Sequence, residues 1–322
     1  MRVLLIGSDN PWRMEASVER ALRRAGHDTL LIDDRRTKRL VGRGLTQRWA
    51  IRRAKLFRPD FVFLSKCLAL DPETVSTLIS GKRNVMWYHD PQWHRDTDRP
   101  DIAHIVTIGR LASTFFVSGF VAEWRAHGLA AKYLPAAGDR DITPGAQRPE
   151  FASEITFIGT GYDPERARLL TRIAKRYHLR VWGPGWEEWG NSVGWTGKSV
   201  EGDAFAAVCS SSKITLGINS ARAVGGRSYT SDRTWMAILG GAFYLGQRTP
   251  GIGSLLTGGE HCAWYKDADD CIEQCGQYLR DDTARARIRA AGERFVRTHH
   301  TYDQRIPNIL ESREFVNPLA ER

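Results

Sequence analysis

Residues 213–261 decide the fold: KITLGINSARAVGGRSYTSDRTWMAILGGAFYLGQRTPGIGSLLTGGEH. A short apolar strand at 214–218 leads into a loop rich in glycine, serine and arginine. The pattern then predicts a helix at 232–239, a glycine pair and a second apolar strand at 242–245. In an α/β protein, glycines and arginines at strand ends indicate that the backbone approaches a phosphate-bearing ligand. We therefore predict a phosphate-binding α/β domain here.

The alternation of strands and helices extends over the rest of the 322 residues. Buried strands are predicted in the first half at 2–7, 29–34, 60–65, 84–91, 104–109 and 131–135. Continuous apolar strands separated by helices are typical of parallel sheets covered on both faces. The composition predicts a basic N-terminal domain over 1–138, a Pro/Gly-rich linker at 139–153, a second domain over 154–299, and a terminal helical segment at 300–322.

The net charge of +10 is concentrated in residues 35–58, which hold ten basic residues and no acidic one. Such a block indicates an anionic partner: nucleic acid, a membrane surface or an acidic glycan. The alternative is a solvated, arginine-rich helix without a partner. The candidates for contact with an anionic acceptor are Arg43, Arg48, Arg52, Arg53 and Trp93.

Several functional classes are disfavoured. The chain has no apolar run of membrane-spanning length and no charged-then-apolar leader, so we expect a cytoplasmic protein without a membrane span. The five cysteines form no CxxC pair, and no second Cys/His pair stands at zinc-like spacing. We expect all five to be reduced and structural. No Walker A, HExxH or GxSxG motif occurs.

The segment FIGTGYDPERARLL, residues 157–170, has the pattern of a strand, a turn and a helix. Small residues in the turn would let backbone N–H groups face an anion at the helix N-terminus. The alternative is a tight turn that needs small residues for packing. The next strand ends in Trp-Gly instead of an acidic residue, and GxGxxG is absent, which disfavours nicotinamide binding.

Further segments follow in a recognisable order. They are VWG (181–183), Asn219, SDRTW (231–235), the glycine pair before AFYL, GGE (258–260), WYKD (264–267) and HTY (300–302). Over roughly residues 84–305, this order resembles the GT-B glycosyltransferases related to the spore maturation protein CgeB. The order and spacing of the segments carry the resemblance, since no single motif is unique.

The resemblance implies a GT-B fold, with two Rossmann-like parallel-sheet domains facing a cleft and C-terminal helices crossing back. It also implies a nucleotide-sugar donor, most simply a UDP-sugar, and no bound cofactor or metal, because backbone dipoles and arginines stabilise the leaving diphosphate. Arg233 resembles the diphosphate partner, although it could instead be a surface arginine at a helix start. The donor-binding candidates are Gly159, Thr160, Gly161, Tyr162, Trp182, Asn219, Arg222, Arg227, Ser231, Arg233, Gly240, Gly241 and Glu260.

One position departs from the family pattern. Met236 stands where the family has the glutamate that holds the ribose hydroxyls of the donor. A thioether cannot accept two hydroxyl hydrogen bonds. Either another acid such as Glu260 takes this role, or the donor pocket is altered, or the activity is lost.

Candidate catalytic bases stand at the ends of N-terminal strands. His89 and Asp90 follow the fourth strand, and Asp9 follows the first. The carboxyl edge of a parallel sheet is where ligands bind in open α/β folds, and transfer with inversion needs a base for the acceptor hydroxyl. Asp90 could instead cap the turn before the following proline.

The acceptor is inferred from the basic block. Because that block lies in the acceptor half of the implied fold, we expect an anionic polymer, best matched by DNA carrying hydroxymethylated pyrimidines. Such an enzyme would have to extrude its target base. The alternatives are a surface or spore glycan, a lipid or a protein acceptor, or a non-catalytic binding protein of the same fold.

Overall fold

Two parallel β-sheets covered by helices make up this computed structural model, which describes residues 1–90, 99–220, 223 and 228–317. The chain divides into two compact units. The first unit combines Met1–Ala136 with Tyr302–Val316, and the second is built on Ala137–Thr301. The prediction of two parallel α/β sheets is confirmed.

The first unit is built on a six-stranded sheet with the strand order β2-β1-β3-β4-β5-β6. Its strands are β1 (Arg2–Ile6), β2 (Asp28–Ile32), β3 (Phe61–Leu64), β4 (Arg83–Tyr88), β5 (Phe115–Val117) and β6 (Ala131–Tyr133). Its helices are α1 (Met14–Arg24), α2 (Asp34–Val41), α3 (Arg43–Phe57), α4 (Pro72–Ile79), α5 (Pro100–Leu111) and α6 (Val121–Ala126). The central strands β1 and β3 pair in parallel, and nearly all their side chains are buried, as expected of a sheet covered on both faces.

The prediction of a strand at 104–109 is wrong, because these residues lie within α5. Proline starts this helix, a position where its missing N–H costs nothing. The buried side chains Ile102, Ile105 and Ile108 recur every three residues, which is helical spacing. The strand that pairs with β4 is instead the short segment Phe115–Val117, which the sequence pattern did not indicate.

The second unit is built on a five-stranded sheet with the order β11-β10-β9-β7-β8. Its strands are β7 (Ser153–Ile158), β8 (Leu179–Trp182), β9 (Ser212–Gly217), β10 (Tyr244–Gln247) and β11 (Ala263–Tyr265). Its helices are α7 (Pro164–Ala174), α8 (Gly190–Val193), α9 (Gly202–Ser211), α10 (Asp232–Leu239), α11 (Ala268–Arg280) and α12 (Asp282–His299). All pairings in this sheet are parallel. The carboxyl ends of its strands therefore share one edge, and the segments after β7, β8 and β9 meet there.

Residues of the segment predicted as a linker pack within the second unit. A Cβ on Gly145 would lie 2.3 Å from the backbone nitrogen of Ala207 in α9. A side chain at this position would collide with a helix, so the glycine permits the close approach.

The segment Tyr302–Val316 belongs to the first unit. A 3-10 turn at Tyr302–Arg305 precedes α13 (Ile306–Glu311). Arg305 is fully buried and donates from Nε to the Pro135 carbonyl oxygen at 3.1 Å. Asp303 forms a two-pronged ion pair with Arg24 at 2.8 Å. These contacts join the segment to α1 and to the end of β6.

The five cysteines are free and buried. Among the described residues, every helix is too short or too polar to cross a lipid bilayer.

Candidate functional site

The turn after β7 lies at the carboxyl edge of the second sheet and is tightly packed. The N–H of Gly159 donates to the Trp182 carbonyl at 2.8 Å, and the N–H of Gly161 donates to the Pro184 carbonyl at 2.9 Å. The expectation that these two N–H groups face an anion is therefore not met, because both already hold the turn against the segment after β8.

Close contacts surround the positions of both glycines. A Cβ on Gly161 would lie 2.1 Å from the Gly185 carbonyl oxygen. A Cβ on Gly159 would lie 2.9 Å from Nη1 of Arg233. The second distance shows that the predicted turn and the predicted arginine, far apart in sequence, are brought together.

A second arginine joins Arg233 at this edge. Arg166, in the first turn of α7, donates from Nε to the Ile218 carbonyl at 3.2 Å and from Nη1 to the Thr160 carbonyl at 3.3 Å. The Cζ atoms of Arg166 and Arg233 lie 5.8 and 5.6 Å from the centroid of the Phe157 ring. Two guanidinium groups thus converge on one aromatic side chain.

Neither of the two arginines forms an ion pair with a carboxylate among the described residues, although Asp163 lies within electrostatic range of Arg166. Arg166 is only 8% exposed, and its burial, followed by repulsion from Arg233, lowers its pKa to about 10. Two neighbouring positive charges, one of them buried, form a site suited to an anion with several oxygens.

Sequence reasoning missed Arg166. The available signal was its position on the apolar face of α7, since Leu169, Leu170 and Ile173 on that face are all buried. A charged residue on a buried helix face needs a specific partner, so an arginine on the apolar face of α7 already indicates a functional or structural role.

Buried tyrosines lie below the arginines. Tyr244 shares a 2.9 Å hydrogen bond with Thr234, and burial raises its pKa to about 12. The Tyr265 hydroxyl donates to the Gly217 carbonyl at 3.1 Å. A Cβ on Gly217 would collide with the Tyr244 hydroxyl, so this glycine admits the tyrosine into the sheet edge.

Other donor candidates lie at the same edge. Asn219 follows β9, and its N–H donates to Oε1 of Gln247 at 3.3 Å. Ser231 is the N-cap residue of α10. Tyr162 is 75% exposed, and a Cβ on Gly185 would touch its ring. This tyrosine offers an accessible aromatic face beside the turn.

Three donor candidates lie elsewhere in the second unit. Gly240 and Gly241 follow α10 and precede β10, at the amino edge of the sheet, where they pack on Ser210 and Ala206. Glu260 precedes β11 at that same edge and lies 3.4 Å from His261. The structure does not bring these residues to Arg233, so Glu260 is not placed to replace the missing family glutamate.

Trp182 and Met236 have different surroundings. Trp182 is buried against the Phe151 ring, with the Arg180 guanidinium 4.8 Å from its own ring. Met236 lies one turn after Arg233 in α10 and is half-buried. The predicted residues Arg222, Arg227 and Trp93 lie outside the described residues.

In the first unit, a charged cluster lies at the carboxyl ends of β3 and β4. Lys66 Nζ lies 2.6 Å from Asp90 Oδ2, and His89 Nε2 lies 3.7 Å from Asp90 Oδ1. Burial raises the pKa of Asp90, but the charges of His89 and Lys66 outweigh it, and the net pKa is lowered. Asp90 is therefore a carboxylate at neutral pH.

The backbone that presents Lys66 is unusual. Lys66 and Cys67 have φ angles of 48° and 51°, a region that side-chain-bearing residues rarely occupy. Strain of this kind concentrates at functional sites. The Nδ1 atom of His89 is buried without a hydrogen-bond partner among the described residues. Both features favour a ligand-binding role for this cluster.

Asp9 and the acceptor candidates are more exposed. Asp9 pairs with Arg36 at 2.8 Å, on the β2 side of the sheet. Arg43 pairs with Asp71, with Nε at 2.9 Å from Oδ1. The guanidiniums of the remaining candidates face solvent on α3; they are Arg48, Arg52 and Arg53.

A family model described as glycosyl transferase-like matches residues 166–311. The match begins at Arg166 and includes Arg233 and the helices that follow. No curated protein matches the chain in sequence.

Solved structures match nearly the whole chain. The Anabaena protein Alr3699/HepE in complex with UDP and glucose is 11% identical, with a TM-score of 0.66, over 97% of this chain and 100% of that one. Sucrose-phosphate synthase from Thermosynechococcus elongatus is 11% identical, with a TM-score of 0.67, over 97% and 98%. A glycosyltransferase from Rickettsia africae is 8% identical, with a TM-score of 0.63, over 97% of each.

The predicted GT-B fold is confirmed by these neighbours, whereas the closer resemblance to the CgeB-related group stays a prediction. The family match and the fold together support a transferase. The chain has the GT-B fold and carries a glycosyl transferase-like sequence over residues 166–311.

Proposed function

We propose that this protein is a glycosyltransferase that takes a nucleotide-sugar donor, with UDP as the nucleotide. The observation that carries the proposal is the convergence of Arg166 and Arg233 on Phe157 without an opposing carboxylate among the described residues. A diphosphate supplies the missing negative charge and several acceptor oxygens. The structures of the Anabaena protein with UDP and with UDP-glucose favour this nucleotide.

The chemistry follows from the charge distribution. The bond between the anomeric carbon and the diphosphate breaks, and negative charge develops on the leaving oxygen. Fixed guanidinium groups stabilise this charge most when they are shielded from water, as Arg166 is. We propose that these arginines supply the electrostatic stabilisation for which other transferases use a metal ion.

On the acceptor side, we propose Asp90 as the group that receives the hydroxyl proton, with His89 next to it. Asp90 is already ionised at neutral pH, and Lys66 and His89 fix its orientation. The oxygen freed of its proton then forms the new bond to the anomeric carbon. Asp9, which pairs with Arg36, is a second candidate.

The identity of the acceptor remains a prediction. Hydroxymethylated DNA is tested by incubating the protein with UDP-glucose and matched duplexes that differ only in the hydroxymethyl group, with mass spectrometry of the nucleosides. A glycan, lipid or protein acceptor would leave both duplexes unchanged. The cytoplasmic location likewise stays a prediction.

Met236 favours one competing function, a binding protein without transfer activity. Because the family glutamate is missing and Glu260 lies at the other sheet edge, ribose recognition must differ from the family pattern. Such a protein would neither bind UDP-sugars nor hydrolyse them.

Calorimetric titration with UDP, UMP, uridine, GDP and dTDP tests the donor site. We expect UDP to bind more tightly than UMP, and uridine to bind weakest, because two arginines contact the diphosphate. Arg166→Gln should reduce the UDP-over-UMP preference. The matched control is Arg168→Gln. Arg168 is an exposed arginine on the same helix, and it pairs with Glu165. Equal affinity for UDP and uridine would contradict the proposal.

A further inference from the structure

Helices α2 and α3 expose large apolar side chains to solvent. Leu40, Leu45 and Leu56 are 74%, 56% and 72% exposed, and Val41 and Trp49 are exposed as well. These five are half of the ten exposed large apolar side chains among the described residues. Clustered exposed apolar groups mark an interaction site, whereas scattered ones need no explanation.

The apolar side chains of α3 lie on one face of the helix. Leu45, Trp49 and Leu56 are separated by four and seven residues, a spacing that brings side chains to the same side. Ala50 and Ala54 lie on the opposite side and are buried in the first unit. The apolar stripe therefore points away from the core of its own unit.

Basic side chains flank this stripe. Arg52 lies within it, and Arg48 and Lys55 border it on one side. The Arg53 guanidinium lies 5.7 Å from the Trp49 ring. We call the apolar stripe of α3, together with Arg48, Arg52, Arg53 and Lys55 beside it, the basic-apolar surface.

We propose that the basic-apolar surface docks on an anionic lipid bilayer. Leucine and tryptophan side chains enter the acyl boundary while arginine and lysine contact the lipid phosphates, which is the pattern of an interfacial amphipathic helix. Each basic residue near an anionic surface strengthens binding about fivefold. A nucleic acid backbone would meet the charges equally well but would leave the leucines in water. The stripe therefore favours the membrane.

Docking on lipid goes beyond the proposed transfer reaction and does not depend on it. The interaction is measured on the protein without donor or acceptor. Failure to bind vesicles would contradict the lipid-docking proposal but not the proposed donor site. Failure to bind nucleotides would contradict the donor site but not the lipid-docking proposal.

Cosedimentation with vesicles tests the proposal. We expect binding to vesicles of mixed phosphatidylcholine and phosphatidylglycerol at least tenfold above that to phosphatidylcholine alone, weakening as salt is added. Leu45→Ser with Leu56→Ser, which leaves the charge unchanged, should weaken binding at least tenfold. Equal binding by this variant and the wild type would overturn the proposal.

Charge variants provide the matched control. Arg48→Gln with Arg52→Gln should weaken vesicle binding at least tenfold. Lys175→Gln with Lys213→Gln removes the same charge from exposed positions of the second unit and should change binding less than twofold. If both pairs weaken binding equally, net charge alone is responsible and the surface carries no special role.

Insertion can be measured without relying on the folding of a double variant. Lipids brominated in the acyl chain should quench wild-type fluorescence more than that of Trp49→Phe, because Trp49 lies in the stripe. Identical quenching of the two proteins would overturn the proposal. So would duplex DNA that binds more tightly than anionic vesicles and is unaffected by Leu45→Ser with Leu56→Ser.

Discussion

Replacing Arg233 by methionine should weaken the binding of UDP while leaving the free energy of unfolding nearly unchanged. This guanidinium donates no hydrogen bond to a described residue, and it lies over the Phe157 ring. Arg166 and Arg233 lie 5.8 and 5.6 Å from the same ring centroid, so they are at most about 11 Å apart. At an effective dielectric of 20, their repulsion is therefore at least about 1.5 kcal/mol.

Two effects on the unliganded protein therefore nearly cancel. Removing the cation–π contact of Arg233 costs about 0.5–1 kcal/mol, and relieving the repulsion on Arg166 returns a similar or larger amount. The free energy of unfolding should stay within about 1 kcal/mol of wild type. UDP loses a charge-assisted hydrogen bond, worth about 1.5–3 kcal/mol, which corresponds to roughly a 10- to 150-fold weaker Kd.

Denaturant unfolding and calorimetric titration of UDP measure the two quantities on the same samples. Arg168→Met, on the exposed side of α7, is the control and should alter neither by more than about 0.5 kcal/mol. An Arg233→Met protein that loses more than about 2 kcal/mol of stability, or that binds UDP as wild type does, would refute the reasoning. Arg233 would then be a structural residue.

Four further outcomes are expected. Asp90→Asn should lower turnover about 100-fold or more with unchanged UDP affinity. Because the pKa of Asp90 is lowered in the folded protein, its carboxylate contributes stability above the unfolded pKa near 3.8, and that contribution is lost as the pH falls through the folded pKa. Lys66→Met should raise the pKa of Asp90 and shift the acid limb of the pH–rate profile to higher pH. Gly161→Ala places a Cβ 2.1 Å from a backbone carbonyl and should cost about 1–3 kcal/mol in thermal unfolding, whereas Gly253→Ala, with nothing within 4 Å, should cost little. Met236→Glu should tighten UDP binding about tenfold and create a preference over 2′,3′-dideoxy-UDP; unchanged affinity would mean that ribose is recognised elsewhere.

The elements around the donor turn could be predicted from the sequence because each has a strong local signal. The helix expected at 232–239 is α10, and the strand expected at 214–218 overlaps β9. An apolar run bounded by glycine and polar residues leaves little choice of structure in a parallel sheet. The same signals brought Gly159 and Arg233 into one prediction, and the structure places them in contact distance.

Other features depend on packing that sequence patterns do not record. The run at 104–109 is rich in β-branched residues and suits a strand locally, but its position after proline and its burial pattern make it helical. Glycines before a strand look like glycines after one, and Gly240 and Gly241, which were predicted to bind the donor, lie at the amino edge of the second sheet. The hydrogen bonds that Arg166 donates to the Ile218 and Thr160 carbonyls depend on the fold and leave no sequence pattern of their own.

The return of residues 302–316 to the first unit has a consequence for synthesis. During translation, the strands of this unit leave the ribosome long before Arg305 and Asp303, which complete its packing. The first unit therefore cannot complete its fold until the second unit has been synthesised. A chain interrupted after residue 301 would leave Trp87 without the Tyr302 ring, which lies edge-on to it at 6.0 Å. Cellular quality control would thus recognise a truncated chain by its incompletely packed N-terminal unit and not by its C-terminal end.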